Sequence, residues 1–339
     1  TSSLWQGLSL QARFLRREKR QEYEDRHVGE LRVGNSGVMS PKGEVAGKCH
    51  RQTHLRQLDL EIEELEYSKL IMFERGFNNE DIIYEDLLST LEEGEAILRE
   101  EEIPTSWFTS NGTRVTGRPD AVLCTKSSAG IVPKLVLEFK SLASINPAIQ
   151  IAIDEEPVFE HLCQLAHYMW QCGSLPGSLI YRQYSNLIIP NWPFILAKLP
   201  KEEGAPGGEY VKWNKIGKPQ EIKPFEKLFD VSIDNNRVAY RVSSEDETAV
   251  QKPWVQTMIT IDGIVQYYEF VSQMEKEKKL GPRPLTISVT GKDKSYSICN
   301  YCPVKFACDK YESKGYDEWR NAVTDYSNKL VDKHKIENK

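Results

Sequence analysis

The chain has 339 residues, 40% of them hydrophobic and 28% charged, which is a globular composition with room for one elaborated domain or two. A formal net charge of -6 excludes a uniformly basic nucleic-acid binder, and no run reaches the ~18 apolar residues that a membrane helix needs. The first twenty residues show neither an apolar core nor a small-residue cleavage site, so the expected location is cytoplasmic, or nuclear or organellar if the source is eukaryotic.

In chain order, Arg13, Arg16, Arg17, Lys19 and Arg20 make a basic stretch within an expected helical segment over 1–48. Leu55, Leu58, Ile62, Leu65 and Leu70 predict an amphipathic helix over 54–75, and a second helix is expected over about 80–101. The period then changes. Asn111-Gly112 between β-branched and aromatic residues is a strong hairpin signal. "KLVLEFKSL" (134–142) reads as a strand, "PVFEHLCQLAHYMWQC" (157–172) as a helix with a wide apolar face, and "SLIYRQYSNLIIPNWPFILAKL" (178–199) as strands. Residues 200–223, rich in Gly, Pro and Lys, read as a long loop or insertion. A strand pair around "VSIDNNRVAYRVS" (231–243) and a helix over about 253–279 complete the pattern.

Seven cysteines in a chain without an export signal argue for thiols that stay reduced or bind metal. Cys124, Cys163 and Cys172 lie in apolar stretches and read as core thiols. Cys49, Cys299, Cys302 and Cys308 remain, and four thiolates can hold a single zinc or a 4Fe-4S cluster.

A strand sends Glu138 and Lys140 to one face and Leu137 and Phe139 to the other. Asp120, in "GRPDAVL", is expected on the neighbouring strand. Two carboxylates and a backbone carbonyl suit a hard cation such as Mg2+ or Mn2+. A lysine beside that cation can orient the attacking water, or take its proton if its pKa is lowered. His161, Gln164 and Tyr168 share one face of the expected helix, a polar stripe that suggests a pocket edge.

With "GRPDAVL", "LEFK" and "QLAHY" together, the sequence resembles the PD-(D/E)XK nuclease superfamily in its RecB-like branch, over about residues 45–190. The resemblance implies an α/β restriction-endonuclease-like fold, a mixed central sheet flanked by helices. It implies metal ligation by Asp120, Glu138 and the carbonyl of Phe139, with Lys140 acting on water and Gln164 and Tyr168 positioning the site or DNA. The branch usually carries a histidine upstream of the hairpin, four residues after a glycine; here Gly76 is followed by Glu80, a weak candidate ligand. Arg51 is a weak candidate contact to nucleic acid.

Cys299-x2-Cys302-Pro303-x4-Cys308 with an upstream Cys49 is similar to the iron-sulfur members of that branch, the CRISPR-associated adaptation exonucleases and the AddB-type helicase-nuclease subunit. The resemblance implies a 4Fe-4S cluster on these four residues, joining N- and C-terminal helical segments, with zinc as the alternative. The expected organisation is an N-terminal segment over 1–48, a nuclease core over 49–298 with an insertion near 200–250, and a cysteine cluster with a helical tail over 299–339. The expected function is a metal-dependent exonuclease acting on single-stranded DNA or DNA ends in recombination, repair, phage replication or CRISPR adaptation. A DNA-binding module with a weak site and a structure-specific endonuclease are the alternatives. No phosphate-binding loop of the Gly-x4-Gly-Lys-Ser/Thr type is present, so any helicase, recombinase or CRISPR integrase would be a partner, and no membrane is involved.

Overall fold

The computed structural model describes residues 29–60, 67–99, 103–128, 130–142, 145–184, 187–188, 211–213, 219–244, 250–285, 287–291, 299 and 302–337. The basic stretch at 13–20 and the strands expected across 189–199 lie outside them.

The described chain opens with β1 (Leu31–Arg32), a 3-10 turn at Val33–Asn35, β2 (Gly37–Met39), β3 (Val45–Gly47) and helix α1 (His50–Gln57). Helix α2 (Tyr67–Thr90) leads into β4 (Glu95–Arg99), β5 (Thr105–Phe108), β6 (Arg114–Gly117), β7 (Ala121–Ser127) and β8 (Gly130–Ser141). Helices α3 (Ile145–Ala152) and α4 (Phe159–Gln171) precede β9 (Gly177–Gln183), β10 (Leu187–Ile188), β11 (Val211–Trp213), β12 (Pro219–Ile222), β13 (Phe225–Asp234), β14 (Arg237–Val242) and β15 (Val255–Thr260). Helices α5 (Ile261–Glu277), α6 (Lys305–Tyr311) and α7 (Tyr316–Glu337) follow.

Seven strands form one sheet in the order β15-β14-β13-β9-β8-β7-β4. β8 and β9 run parallel while the other neighbours are antiparallel. A parallel pair needs a long crossover, and α3 and α4 supply it. Side chains alternating along β8 feed two cores. Val136 joins Val122, Leu162, Leu165, Ala166 and Leu179 in the larger core, on the α4 side. Leu137 and Phe139 meet Ile83 of α2 with Ile97 and Ile180 on the other. Each such side chain withdrawn from water contributes ~1.5–3 kcal/mol. The molecule is thus a mixed α/β fold with helices on both faces of a mixed sheet.

A third cluster joins the two ends of the described chain, with Leu55 of α1 packed among Met274, Ala307, Tyr316, Trp319 and Val323. The expected boundary at 48/49 does not divide the core, because Leu31, Val33, Val38, Val45 and Ala46 are part of the larger cluster.

Five expectations change. The helix expected over 54–75 is interrupted: Asp59 adopts a left-handed φ of 56°, and the N–H groups of Asp59 and Leu60 return to the carbonyls of Arg56 and Leu55, a Schellman ending with Leu60 packed against the cluster that holds Leu55. The helix expected over 80–101 ends at Thr90, and Glu95–Arg99 is a strand paired with β7. The helix expected from 253 begins as strand β15, because Val255, Thr257 and Ile259 alternate inward; Thr260 then caps α5 by accepting the N–H of Gly263 at 3.0 Å. The expected insertion contributes β13 and β14 to the main sheet, joined through Asn235 and Asn236 at φ 45° and 71°, the left-handed pair of a type I′ turn. Within 200–223, expected as a loop, β11 and β12 pair with each other.

Candidate active site and cysteine-lined cavity

The β7–β8 register opposes Ala121 to Leu137, which carries Asp120, one residue before β7, up beside Glu138. Asp120 Oδ2 accepts the backbone N–H of Phe139 at 2.6 Å. The carboxylate of Glu138 is fully buried and pairs through Oε1 with the ammonium of Lys140. Its other oxygen, Oε2, is buried with no hydrogen-bond partner. A buried carboxylate oxygen without a donor carries a desolvation cost of about 1–3 kcal/mol or more, and a cation is the group that would remove it.

Helix α4 lies over this end of β8. Gln164 Nε2 donates to the hydroxyl of Tyr168 at 3.4 Å, and Tyr168 is 3% exposed. Tyr181 stands opposite Lys140 in the parallel ladder. Its hydroxyl accepts the N–H of Val158 at 3.0 Å and lies 3.1 Å from Nδ1 of His161. The polar stripe read from the sequence therefore faces the carboxylates. Glu80 of α2 is near enough to act electrostatically on both Glu138 and Lys140, and the neighbouring Asn79 donates to Ser141 Oγ at 2.7 Å.

Burial pushes the Glu138 carboxyl up to about 8, with repulsion from Asp120 adding to it and Lys140 opposing it. Burial also raises Asp120, against the pull of Lys140 and the Phe139 N–H. Two carboxylates that resist sharing a low-dielectric site present a charge that a cation would relieve, although among the described residues no three His, Cys, Asp or Glu side chains are grouped here as a metal ion would need. Burial acts to lower the Lys140 pKa, but the attraction of Glu138 and Asp120 outweighs it and holds the ammonium above its ordinary value. Burial lifts the Tyr168 hydroxyl well above its ordinary pKa, with Glu138 adding to the effect, so it is a neutral donor or acceptor.

Cys49, Cys299, Cys302 and Cys308 line one cavity of about 310 Å³. A turn carrying the Cys302 N–H to the Cys299 carbonyl at 3.2 Å brings two of them together, and Cys308 arrives on α6. Cys49 immediately precedes α1. Burial pushes its thiol up to about 11, with the Gln52 and Arg51 N–H groups pulling down and Cys302 and Cys308 pushing up. Buried thiols that resist ionising side by side give up their protons when a metal takes their place. Among the described residues, however, no three His, Cys, Asp or Glu side chains are grouped as a single-ion site would need.

Arg51 does not face solvent, which corrects its reading as a nucleic-acid contact. It is 1% exposed, and its Nη2 donates to the Gly281 carbonyl at 2.6 Å and to Glu312 at 2.5 Å. Cys124 and Cys163 are buried core thiols as expected, while Cys172 is partly exposed. Sequence reasoning missed Tyr181, because only the parallel pairing of β8 with β9 places it by Lys140, and it missed the cavity roles of Arg51 and Gln52.

No family model and no curated protein sequence matches the chain. Among the described residues no helix is long and apolar enough to cross a membrane.

Proposed function

We propose that the chain is a metal-dependent deoxyribonuclease of the PD-(D/E)XK kind, acting on single-stranded DNA or DNA ends, with a restriction-endonuclease-like core and a 4Fe-4S cluster on Cys49, Cys299, Cys302 and Cys308. The observation that carries the reading is the buried Glu138 carboxylate, ion-paired with Lys140 on one oxygen, unpartnered on the other and flanked by Asp120. Asp120, Glu138 and the Phe139 carbonyl would hold Mg2+ or Mn2+, which when bound supplies Lewis-acid polarisation of the phosphate. Lys140, an ammonium donor in this pair, orients the water and meets negative charge developing on the phosphate. Gln164 and Tyr168 hold the phosphate or sugar edge by hydrogen bonds. In the hydrolysis, water adds to phosphorus, the bond to the leaving sugar oxygen breaks, and that oxygen takes up a proton.

Glu80 approaches the same carboxylates from α2. By its spacing from Gly76 it would take the place of the resembled branch's histidine, as an outer ligand or an orienting group. The cluster reading rests on four cysteines lining one cavity and would staple the two ends of the chain around the core. Closing a loop this long is worth roughly 4–5 kcal/mol in the chain-closure picture. A helicase, recombinase or CRISPR integrase is the kind of partner such a nuclease would serve.

Incubation of the protein with end-labelled linear single strands, linear duplexes and closed circles of the same sequence tests the reading. Degradation of linear DNA with circles spared is the expected result. Cutting of circles would make the enzyme an endonuclease, and binding without cutting of any substrate would make it a DNA-binding module.

A further inference from the structure

Arg51 and Gln52 occupy an unusual place for polar side chains. Both line the cavity of the four cysteines. The Gln52 amide Nε2 donates to the sulfur of Cys302 at 3.0 Å. The Arg51 guanidinium is almost wholly buried, and only Nη2 is bonded, to Glu312 and Gly281. Its Nε and Nη1 are buried without any acceptor.

Leaving a buried donor unmade is costly, and here two sit on one cation. The Cys308 sulfur lies near enough to contribute to the charge balance of that guanidinium. A protonated thiol is a poor acceptor, whereas a cluster-bound thiolate or sulfide is an anionic one. Lys48, Arg283 and Lys305 also line the cavity, with Glu160, but Arg283 and Lys305 are ion-paired with Glu312 and Asp309, so the donors aimed at sulfur, not the net charge of the wall, carry the effect. Donors and cations around thiolate sulfur favour the more negative, reduced form of an iron-sulfur centre.

We propose that Arg51 and Gln52 are positioning residues for the cluster, the guanidinium donating to sulfur at Cys308 and the amide to sulfur at Cys302, and that together they raise its one-electron reduction potential. The inference rests on the cluster reading given above. It assigns the two unpartnered donors of Arg51 an acceptor and gives the amide at Cys302 a consequence.

The test is an anaerobic titration of the full chain with dithionite, which supplies one electron per cluster, followed by electron paramagnetic resonance and by iron and zinc analysis. Wild type is compared with Gln52→Leu and Arg51→Lys. Both variants are expected to keep their iron while the ratio of reduced to oxidised cluster at a fixed potential falls three- to tenfold for Gln52→Leu and by at least as much for Arg51→Lys. Tenfold corresponds to about 59 mV for one electron. A merely structural role would lower the melting temperature without moving the potential. If Arg51→Lys fails to fold, Gln52→Leu still decides the matter, because its side chain is only partly buried. Iron-loaded variants with the wild-type potential would overturn this inference and leave the cluster standing. Wild type with zinc or with no metal would overturn both.

Discussion

A lysine buried against two carboxylates stays charged, and Lys140 is such a lysine. In the proposed hydrolysis its contribution would be that of a fixed ammonium beside the phosphate. Lys140→Ala is expected to lower single-turnover cleavage by about 10²- to 10⁴-fold while changing the DNA dissociation constant less than threefold. Cleavage near the wild-type rate would remove Lys140 from the reaction. Asp120, Glu138 and Lys140 adjoin one another and Gln164 is bonded to Tyr168, which is near enough to feel Glu138 and Asp120; these are the same five residues to which the motifs drew attention. The protonation of Lys140 was not legible, since it depends on how deeply all three charges are buried. Arg51 was misread for a related reason. A basic residue beside a cysteine looks like surface until the partner that draws it inward, Glu312, is known to lie across the fold.

At the scale of elements, the strand before Asp120 and helix α4 are packed so closely that Gly117 has a specific job. A Cβ at Gly117 would stand 2.7 Å from Tyr168 Cε1 and from Val33 Cβ and Cγ2, so the aromatic ring that reaches the carboxylates sits directly on this backbone. Gly117→Ala is expected to cost about 1–3 kcal/mol by overpacking and to reduce cleavage more than binding, because it displaces Tyr168 from the site. Unchanged urea midpoint and unchanged rate would contradict that packing. Hairpins and the α4 helix could be read from turn residues and periodicity alone. The errors fell where local signals were mixed. The 54–75 apolar period runs through Asp59, whose left-handed turn nothing in that period announces. "VQTMIT" carries β-branched residues whose alternation was masked by the helical stretch following it.

Over the whole molecule, burial of neutral histidines links stability to pH. Burial lowers the pKa of His54 to about 4 and of His167 to about 3, and burial with Lys140 nearby takes His161 well below its ordinary value. Each is a base whose folded pKa lies under the unfolded value of ~6.5. The unfolded chain then binds more protons once pH falls below that value. The contribution of each histidine is therefore intact well above pH ~6.5 and is lost progressively as pH falls toward the folded values, at about 1.4 kcal/mol per unit, while the Glu138 carboxyl, raised to about 8, acts in the opposite sense below that pH. Urea midpoints at pH 6.5 and 5.5 should fall more steeply for wild type than for His167→Gln, and equal slopes would contradict neutral burial. A link between residues near Cys49 and the C-terminal cysteines was implied only by the resemblance, and the packing of Leu55 among the C-terminal helices and the passage of residues 31–47 into the main core were not legible, because short strands and a lone leucine carry little periodicity.

The central claim is that Asp120 and Glu138 hold a cation for phosphodiester hydrolysis. The most direct measurement is cleavage of end-labelled DNA by anaerobically purified protein in Mg2+, Mn2+ or EDTA, alongside Asp120→Ala. Cleavage that needs the divalent ion and falls at least 10³-fold in Asp120→Ala, with the variant folded and still binding DNA, is the predicted result. Cleavage that persists in EDTA or in folded Asp120→Ala, or DNA binding by both proteins with no cleavage under any metal, would contradict it.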